Sequence, residues 1–521
     1  MAQAEALSYG RKSEPIPIMK SILLSTLITV LQMSTVFSEK PNIIYILADD
    51  LGYNELGCYG QEKIETPHID ALAENGIRFT QHYSGSPVCA PSRCVLLTGK
   101  HTGHAHIRGN DEWKERGDTW NFAKAVEDPN LEGQRPLPAG TKTIGALLQS
   151  VGYKTAIVGK WGLGAPLTEG IPNQQGFDFF YGYNCQRQAH TFYPRHLWRN
   201  EEKHWLDNEL VVPGTKLPEG ADPDDPASYA KYRLNEYSAE LMLDEALGFV
   251  RENEKNPFFL YFASPIPHVP LQAPERWVKH YQEKFGPEEP YLGDKGYFPN
   301  RTPRATYAAM VSYLDEQVGD IVSELKKLGL YENTLILFSS DNGPTYNGGS
   351  DSAFFESASP FKSEYGWAKG FTAEGGIRVP MIASWEGTIR GGRTSQHVSA
   401  FWDVLPTLCE LAGAPVPTDT DGLSFLPTLK GESQTPHAFL YWEFPAYQGQ
   451  QAVRMGDWKG MRKNIFNGNR ELELYNLRKD PREQVNVADA HPEVVAKIEA
   501  IMKREHTPAV LERFKIPQLG D

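Results

Sequence analysis

The stretch NIIYILADD, Asn42 to Asp50, decides the fold. Its apolar run is too continuous for a strand with one wet face, and it suits a strand buried on both faces of a largely parallel sheet. The run ends in two adjacent carboxylates, Asp49 and Asp50, which repel each other unless something partners them. Three further runs repeat the pattern: KTAIVGKW runs into Lys160, PFFLYFASPIPH leads to His268, and TLILFSSDNG runs into Asp341 and Asn342. In open α/β sheets, ligands bind outside the carboxyl ends of the strands. Four such ends carrying acids, an amide, a lysine and a histidine point to one shared site. The competing reading is two helix-capping turns that never meet.

Helices fit between these strands. TPHIDALAENG offers Thr66 as N-cap, Pro67 as first helical residue and Gly76 just past the end. TIGALLQSVG repeats this with Thr143 and Gly152. The stretch Ala305 to Gly329 places Met310, Tyr313, Leu314, Val318, Ile321, Val322 and Leu325 on one face, which is a core stripe. The connections Ala105 to Gly140, Leu163 to Tyr232 and Asn342 to Lys369 are long, as functional walls or lids are. After about residue 420 the texture changes to short antiparallel strands (FLYWEF, QAVRMGDWKGMR, ELELYNL) and a closing helix, HPEVVAKIEAIMKRE. The expectation is an α/β fold with a small C-terminal α+β subdomain. There is no internal repeat.

With 521 residues and 40% hydrophobic content, the chain has ample material for a large core. A net charge of −14 opposes a nucleic-acid partner, while leaving room for a local basic pocket. Lys20 followed by SILLSTLITVL has the order of a secretory signal and is too short to span a bilayer. Residues 1–38 are therefore expected to be a leader cleaved near Phe37 or Ser38, with Met19 as an alternative start. No later segment reads as a membrane span, so the mature protein is expected to be exported, periplasmic or extracellular.

Five cysteines, Cys58, Cys89, Cys94, Cys185 and Cys409, cannot all pair, and none has zinc-finger spacing. Asp49, Asp50, Asp341 and Asn342 form an all-oxygen set suited to Ca²⁺ or Mg²⁺ rather than zinc. For Cys89 itself, the ordinary reading is a small buried hydrophobe.

Its surroundings say otherwise. VCAPSRCVLLTG resembles the sulfatase signature at Cys89, Pro91, Ser92, Arg93, Thr98 and Gly99. The resemblance runs from Asn42 to about Trp385 and returns at LYNLRKDPREQVNVA. It implies the alkaline-phosphatase-like fold, a large, mixed but mostly parallel sheet flanked by helices. The expected layout is a catalytic domain over 40–420 and a C-terminal subdomain over 421–521. The resemblance further implies that a maturation enzyme oxidises Cys89 to Cα-formylglycine, whose hydrated aldehyde is the nucleophile. It implies that Asp49, Asp50, Asp341, Asn342 and residue 89 ligate Ca²⁺. Arg93, Lys160 in GKWGLG, His268 in SPIPHVPLQAP and Lys369 in KGFTAEGGIRVP match the family's sulfate-handling residues. Taken singly, each lysine would be an ordinary solvated charge.

One departure stands out. Where many sulfatases carry a histidine that assists elimination, this chain has Gly162. His101, His104, His106 and His190 are the candidates to replace it. Lys100 stands where an arginine is frequent. The aromatic and basic stretch Asn184 to Asn200, with Arg187 and His190, either binds a sulfated sugar or packs between loops. The implied substrate is a sulfated saccharide. The rivals are a formylglycine-dependent phosphonate or phosphodiester hydrolase and a sulfated-glycan binding protein with a decayed site.

Overall fold

Asn42 to Ala48 forms β1, the strand around which the main sheet is built. The computed structural model describes Gly10 and residues 40–521, and residues 41–521 form one unit. Apart from Gly10, the segment read as a leader lies outside the described residues. The following strands are β2 (Gly76–Tyr83), β3 (Lys154–Lys160), β4 (Phe179–Tyr183), β5 (His196–Arg199), β6 (Glu202–Trp205), β7 (Phe258–Ala263) and β8 (Thr334–Ser340). Then come β9 (Arg378–Ser384), β10 (Arg393–Ser395) and β11 (Ser399–Ala400). Among the described residues these eleven make one mixed sheet in the order β10-β2-β9-β8-β1-β7-β3-β4-β5-β6, with β11 also on β2.

The four strands read from apolar runs are neighbours at its centre: β8, β1, β7 and β3 are all parallel. Alternation explains why their sequences show no polar face. Ile43, Tyr45 and Leu47 enter one core cluster, while Ile44, Ile46 and Ala48 enter the other on the opposite side of the sheet. Phe259 and Tyr261 divide from Phe258, Leu260 and Phe262 in the same way. Each large side chain buried like this stabilises the fold by roughly 1.5–3 kcal/mol.

The helix Pro303–Lys327 buries Met310, Tyr313, Leu314, Val318, Ile321 and Leu325 against one of these clusters, with Val322 half-buried beside them. Thr143 caps the helix Ile144–Ser150 through Oγ1, which accepts the Ala146 N–H at 3.1 Å. Thr66 precedes the helix Pro67–Glu74 but does not cap it. Its hydroxyl accepts from the Gly57 N–H and donates to Asp70. Gly76 is not a helix terminator either, because it opens β2. A Cβ there would lie 2.2 Å from the Ala383 carbonyl on the neighbouring strand. The stretch from Leu163 to Tyr232 is less irregular than expected, since it contributes β4, β5 and β6 to one edge.

At the C-terminal end, β12 (Leu440–Phe444), β13 (Gln450–Met455), β14 (Trp458–Arg462) and β15 (Glu473–Asn476) form an antiparallel sheet. Trp442, Ala452 and Met461 share the large sheet's core, whereas Tyr441, Val453 and Leu474 pack under the helix Pro492–Glu505. No helix among the described residues is long and apolar enough to cross a membrane. All five cysteines are free.

Candidate active site

The parallel arrangement of β8, β1, β7 and β3 delivers their ends to one edge of the sheet. Asp49 and Asp50 follow β1, Asp341 and Asn342 follow β8, Lys160 ends β3, and His268 lies in the loop after β7. All are buried. Asp50 has a left-handed backbone, φ +66°, which turns the chain away directly after the strand.

Cys89 is the first residue of the helix Cys89–Thr98, and its Sγ lies 3.4 Å from Asp49 Oδ1. The signature's other residues have local reasons. Arg93 sits one turn on and shares the Cys89 face. Ser92 Oγ accepts the Gly85 N–H at 3.1 Å. Gly99 closes the helix at φ +67°, where a Cβ would lie 2.7 Å from Thr420 Oγ1. Cys94 faces the core.

Charge is arranged in pairs. Lys160 Nζ is 2.6 Å from Asp49 Oδ2, and Lys369 Nζ is 2.6 Å from Asp50 Oδ2. Arg93 donates from Nε and Nη2 to Asp341 Oδ2 at 3.0 and 2.9 Å, and lies 3.3 Å from Asp49. Burial favours the neutral acid, but the charges of Lys160, Arg93 and Lys369 outweigh it and hold the Asp49 carboxyl well below its ordinary range. Burial, with Asp49 beside it, pushes Asp341 up to about 7. Burial also raises Asp50, against the pull of Lys369. The Cys89 thiol is pushed up to about 12 by burial and the Asp49 charge. At neutral pH it is protonated and a weak nucleophile.

His268 donates Nδ1–H to the Val269 carbonyl, which leaves Nε2 turned toward Asp50 Oδ2 at 3.7 Å. Burial and the neighbouring Lys369 push this imidazole well below its ordinary pKa. The unliganded ring is therefore neutral, not the imidazolium expected of an acid. His190 stacks on it, with centroids 5.4 Å apart and planes at 12°.

The acids fit a hard cation. Asp49, Asp50, Cys89 and His268 offer ligand atoms within 4.8 Å of one another. Asn342 Nδ2 donates to Asp50 Oδ1 and to the Gly343 carbonyl, while its buried Oδ1 has no partner in the protein. A buried amide oxygen without a donor, on an amide that is bonded to Asp50, is suited to an oxygen-seeking metal.

Cys89, Lys160, His190, His268 and Lys369 line a cleft of about 630 Å³. Two residues expected at the substrate are elsewhere. Arg93 is wholly buried beneath the acids and does not line the cleft. Arg187 lies on the Trp120 ring at 4.7 Å and donates to the Thr119 carbonyl, behind the rim. Of the histidines considered for the missing position, only His190 reaches the cleft. His101 and His104 bond to Glu505 and Asp421 away from it, and His106 lines a separate hollow beside Pro417. Gly162 itself has φ +78°, and a Cβ there would lie 2.9 Å from Gln186 Cγ, so Gln186 holds that space. Lys100 pairs with Asp419 near the surface. Asn110, Glu112, Trp120, Gln186, Tyr297 and Arg513 also line the cleft and were not singled out from sequence. Gln186 and Arg513 lie in short 3₁₀ helices and the others in loops, where no strand-end pattern marks them.

Residues 41–414 match the Sulfatase family, and residues 363–508 match the family described as N-sulphoglucosamine sulphohydrolase, C-terminal. Human arylsulfatase A is 31% identical over 506 residues, spanning 90% of this chain and 88% of its own. An N-acetylgalactosamine-6-O-sulfatase of Bacteroides thetaiotaomicron is 26% identical, spanning 90% and 94%. The solved structure of Ps i-CgsB, also determined in complex with k-i-k-neocarrahexaose, is 28% identical, with a TM-score of 0.70 over 90% of this chain and 94% of that one. The chain is a sulfuric ester hydrolase and belongs to the sulfatase family.

Proposed function

We propose that this protein is an exported sulfatase that hydrolyses sulfate esters of carbohydrates, using a formylglycine made from Cys89 and a bound Ca²⁺. One observation carries the reading: Cys89 opens a helix at a cleft that Lys160, Lys369 and His268 also line, and the buried carboxylates of Asp49 and Asp50 lie within 4.8 Å of its Sγ. The saccharide part is supported by the N-acetylgalactosamine-6-O-sulfatase relative and by the k-i-k-neocarrahexaose in complex with Ps i-CgsB. Export is supported by the leader-like order of residues 1–38.

A thiol held at a pKa of about 12 does not suit attack on sulfur. Converted by a maturation enzyme, residue 89 would supply an oxygen nucleophile, and its Sγ marks where that oxygen would stand. Asp49, Asp50, Asp341 and Asn342 would hold Ca²⁺, with Mg²⁺ as the second candidate, and the bound ion would supply Lewis-acid stabilisation of sulfuryl charge. Lys160 and Lys369 line the cleft and would face the sulfuryl oxygens, stabilising charge in a partly dry site. Arg93 acts from below by fixing Asp341 and Asp49. His268 Nδ1–H is anchored on a carbonyl, so Nε2 is the atom that exchanges protons. A sulfate ester entering beside it would raise its proton affinity, and Nε2 would then protonate the departing alcohol.

The test is a peptide mass for residue 89 in active protein, combined with sulfate release from N-acetylgalactosamine 6-sulfate and galactose 6-sulfate. An aldehyde or hydrate mass with turnover is expected, and Cys89→Ala should be folded and inactive. Full activity with an unmodified thiol would refute the formylglycine. Turnover of phosphonate monoesters alone would favour the phosphorus-ester reading.

A further inference from the structure

The cleft contains two buried oxygen acceptors that the chemistry above does not use. Glu112 Oε2 and Gln186 Oε1 are shielded from solvent and have no hydrogen-bond partner in the protein. Such atoms are uncommon, because a buried acceptor without a donor carries its full desolvation cost.

The Gln186 amide orientation is fixed by a chain of bonds. Ala90, next to Cys89, donates its backbone N–H to Asn110 Oδ1 at 3.2 Å, so that atom is an oxygen. The same oxygen accepts from Gln186 Nε2 at 3.2 Å, which leaves Gln186 Oε1 as the free atom. Gln186 is only 4% exposed, and its backbone N–H is held by Gln134 Oε1. Its side chain fills the volume beside Gly162.

Glu112 sits on an equally constrained loop. The preceding Asp111 accepts from Trp113 N–H and pairs with Arg135 at 2.7 Å. The Glu112 carbonyl lies where a Cβ on residue 133 would stand, 1.9 Å away, so the loop closes tightly on Gly133. Asp111 and Glu115, the other acids lining the cleft, both pair with Arg135. Glu112 has no ion pair at that range among the described residues. Burial, against the pull of Arg187 and with Asp111 adding to it, pushes its carboxyl up to about 7.

We propose that Glu112 and Gln186 are specificity-determining residues that accept hydrogen bonds from hydroxyl or amide N–H groups of the sugar bearing the scissile sulfate. The inference rests on the carbohydrate sulfatase reading of the same cleft. Two acceptors without donors match a ligand rich in O–H and N–H groups and gain nothing from a bare aryl ring. They also disfavour a second sulfate or a uronate carboxylate at that position, since anions bring no donor. Sites built to bond a hydroxyl discriminate strongly against analogues lacking it.

The experiment compares kcat/KM for wild type, Glu112→Ala, Glu112→Gln and Gln186→Met, all corrected for formylglycine content. The substrates are N-acetylgalactosamine 6-sulfate, galactose 6-sulfate, their monodeoxy analogues and 4-nitrophenyl sulfate. Glu112→Ala and Gln186→Met should each lose about 10- to 100-fold on the cleaved sugar sulfate and far less on 4-nitrophenyl sulfate. Glu112→Gln, which keeps an acceptor, should recover part of the loss. For each residue, one deoxy analogue should be poor in wild type and lose little more in the variant, as a double-mutant cycle requires. Equal losses on sugar and aryl substrates, or no loss on either, would overturn the proposal while leaving the sulfatase reading intact. Wild-type protein that cleaves 4-nitrophenyl sulfate and no sugar sulfate would overturn both the proposal and the carbohydrate reading on which it rests.

Discussion

Asn342 and Asp50 are joined by a 2.8 Å hydrogen bond from Nδ2 to Oδ1, and that bond decides what the rest of the amide can do. With Nδ2 also on the Gly343 carbonyl, the buried Oδ1 is left facing no donor. Asp341 beside it is raised to about 7 by burial and the Asp49 charge, a strain that a divalent cation would relieve.

Metal content should therefore follow these residues. Asp341→Ala and Asn342→Leu are each expected to lower bound calcium, measured by elemental mass spectrometry, in parallel with turnover. Chelation should lower the wild-type melting temperature, and added Ca²⁺ should restore it. A rate undiminished by exhaustive chelation would show that the acids serve another purpose.

His268 separates leaving-group protonation from sulfate binding. A sugar alkoxide is a strong base and needs a proton as it departs, whereas nitrophenolate leaves readily without one. His268→Ala is expected to slow sugar sulfate cleavage by roughly 10²–10⁴-fold and nitrophenyl sulfate cleavage much less. Lys160→Ala should slow both, because in the proposed mechanism the ammonium would face oxygens common to the two substrates. Equal slowing in the His268 variant would remove its assignment as the acid.

His82 predicts a pH effect on stability far from the chemistry. It is fully buried on β2, with Nδ1 at 2.8 Å from Ser399 Oγ and Nε2 without a partner. Burial, helped by His397, lowers its pKa to about 3. Between the unfolded value near 6.5 and the folded value, the unfolded chain binds a proton that the native state refuses. Stability therefore falls as pH drops through that window, by about 2 kcal/mol between about pH 6.5 and 5. Urea unfolding at several pH values should show this slope in wild type and a shallower one in His82→Phe. Identical slopes would mean that other groups carry the acid sensitivity.

The sequence by itself determined the central strands and the identity of most of the chemistry. Apolar runs ending in Asp49-Asp50, Lys160, His268 and Asp341-Asn342 are legible because a strand buried on both faces leaves no other place for its polar residues than its ends. The CAPSR signature is legible through its resemblance to the sulfatase pattern, and the structure adds local reasons for Ser92, Arg93 and Gly99. The tertiary structure decided what depends on contacts between distant segments. It placed Arg93 beneath the acids instead of in the cleft, and Arg187 behind Trp120. It put Gln186 into the space beside Gly162, and it opened β2 at Gly76, where the sequence suggests a helix end. None of these has a periodic or spacing signal, since each is set by which loop packs against which strand end. Glu112 and Gln186 belong to this second class because they lie on a loop and at the start of a short 3₁₀ helix, whose backbones only the assembled core holds still.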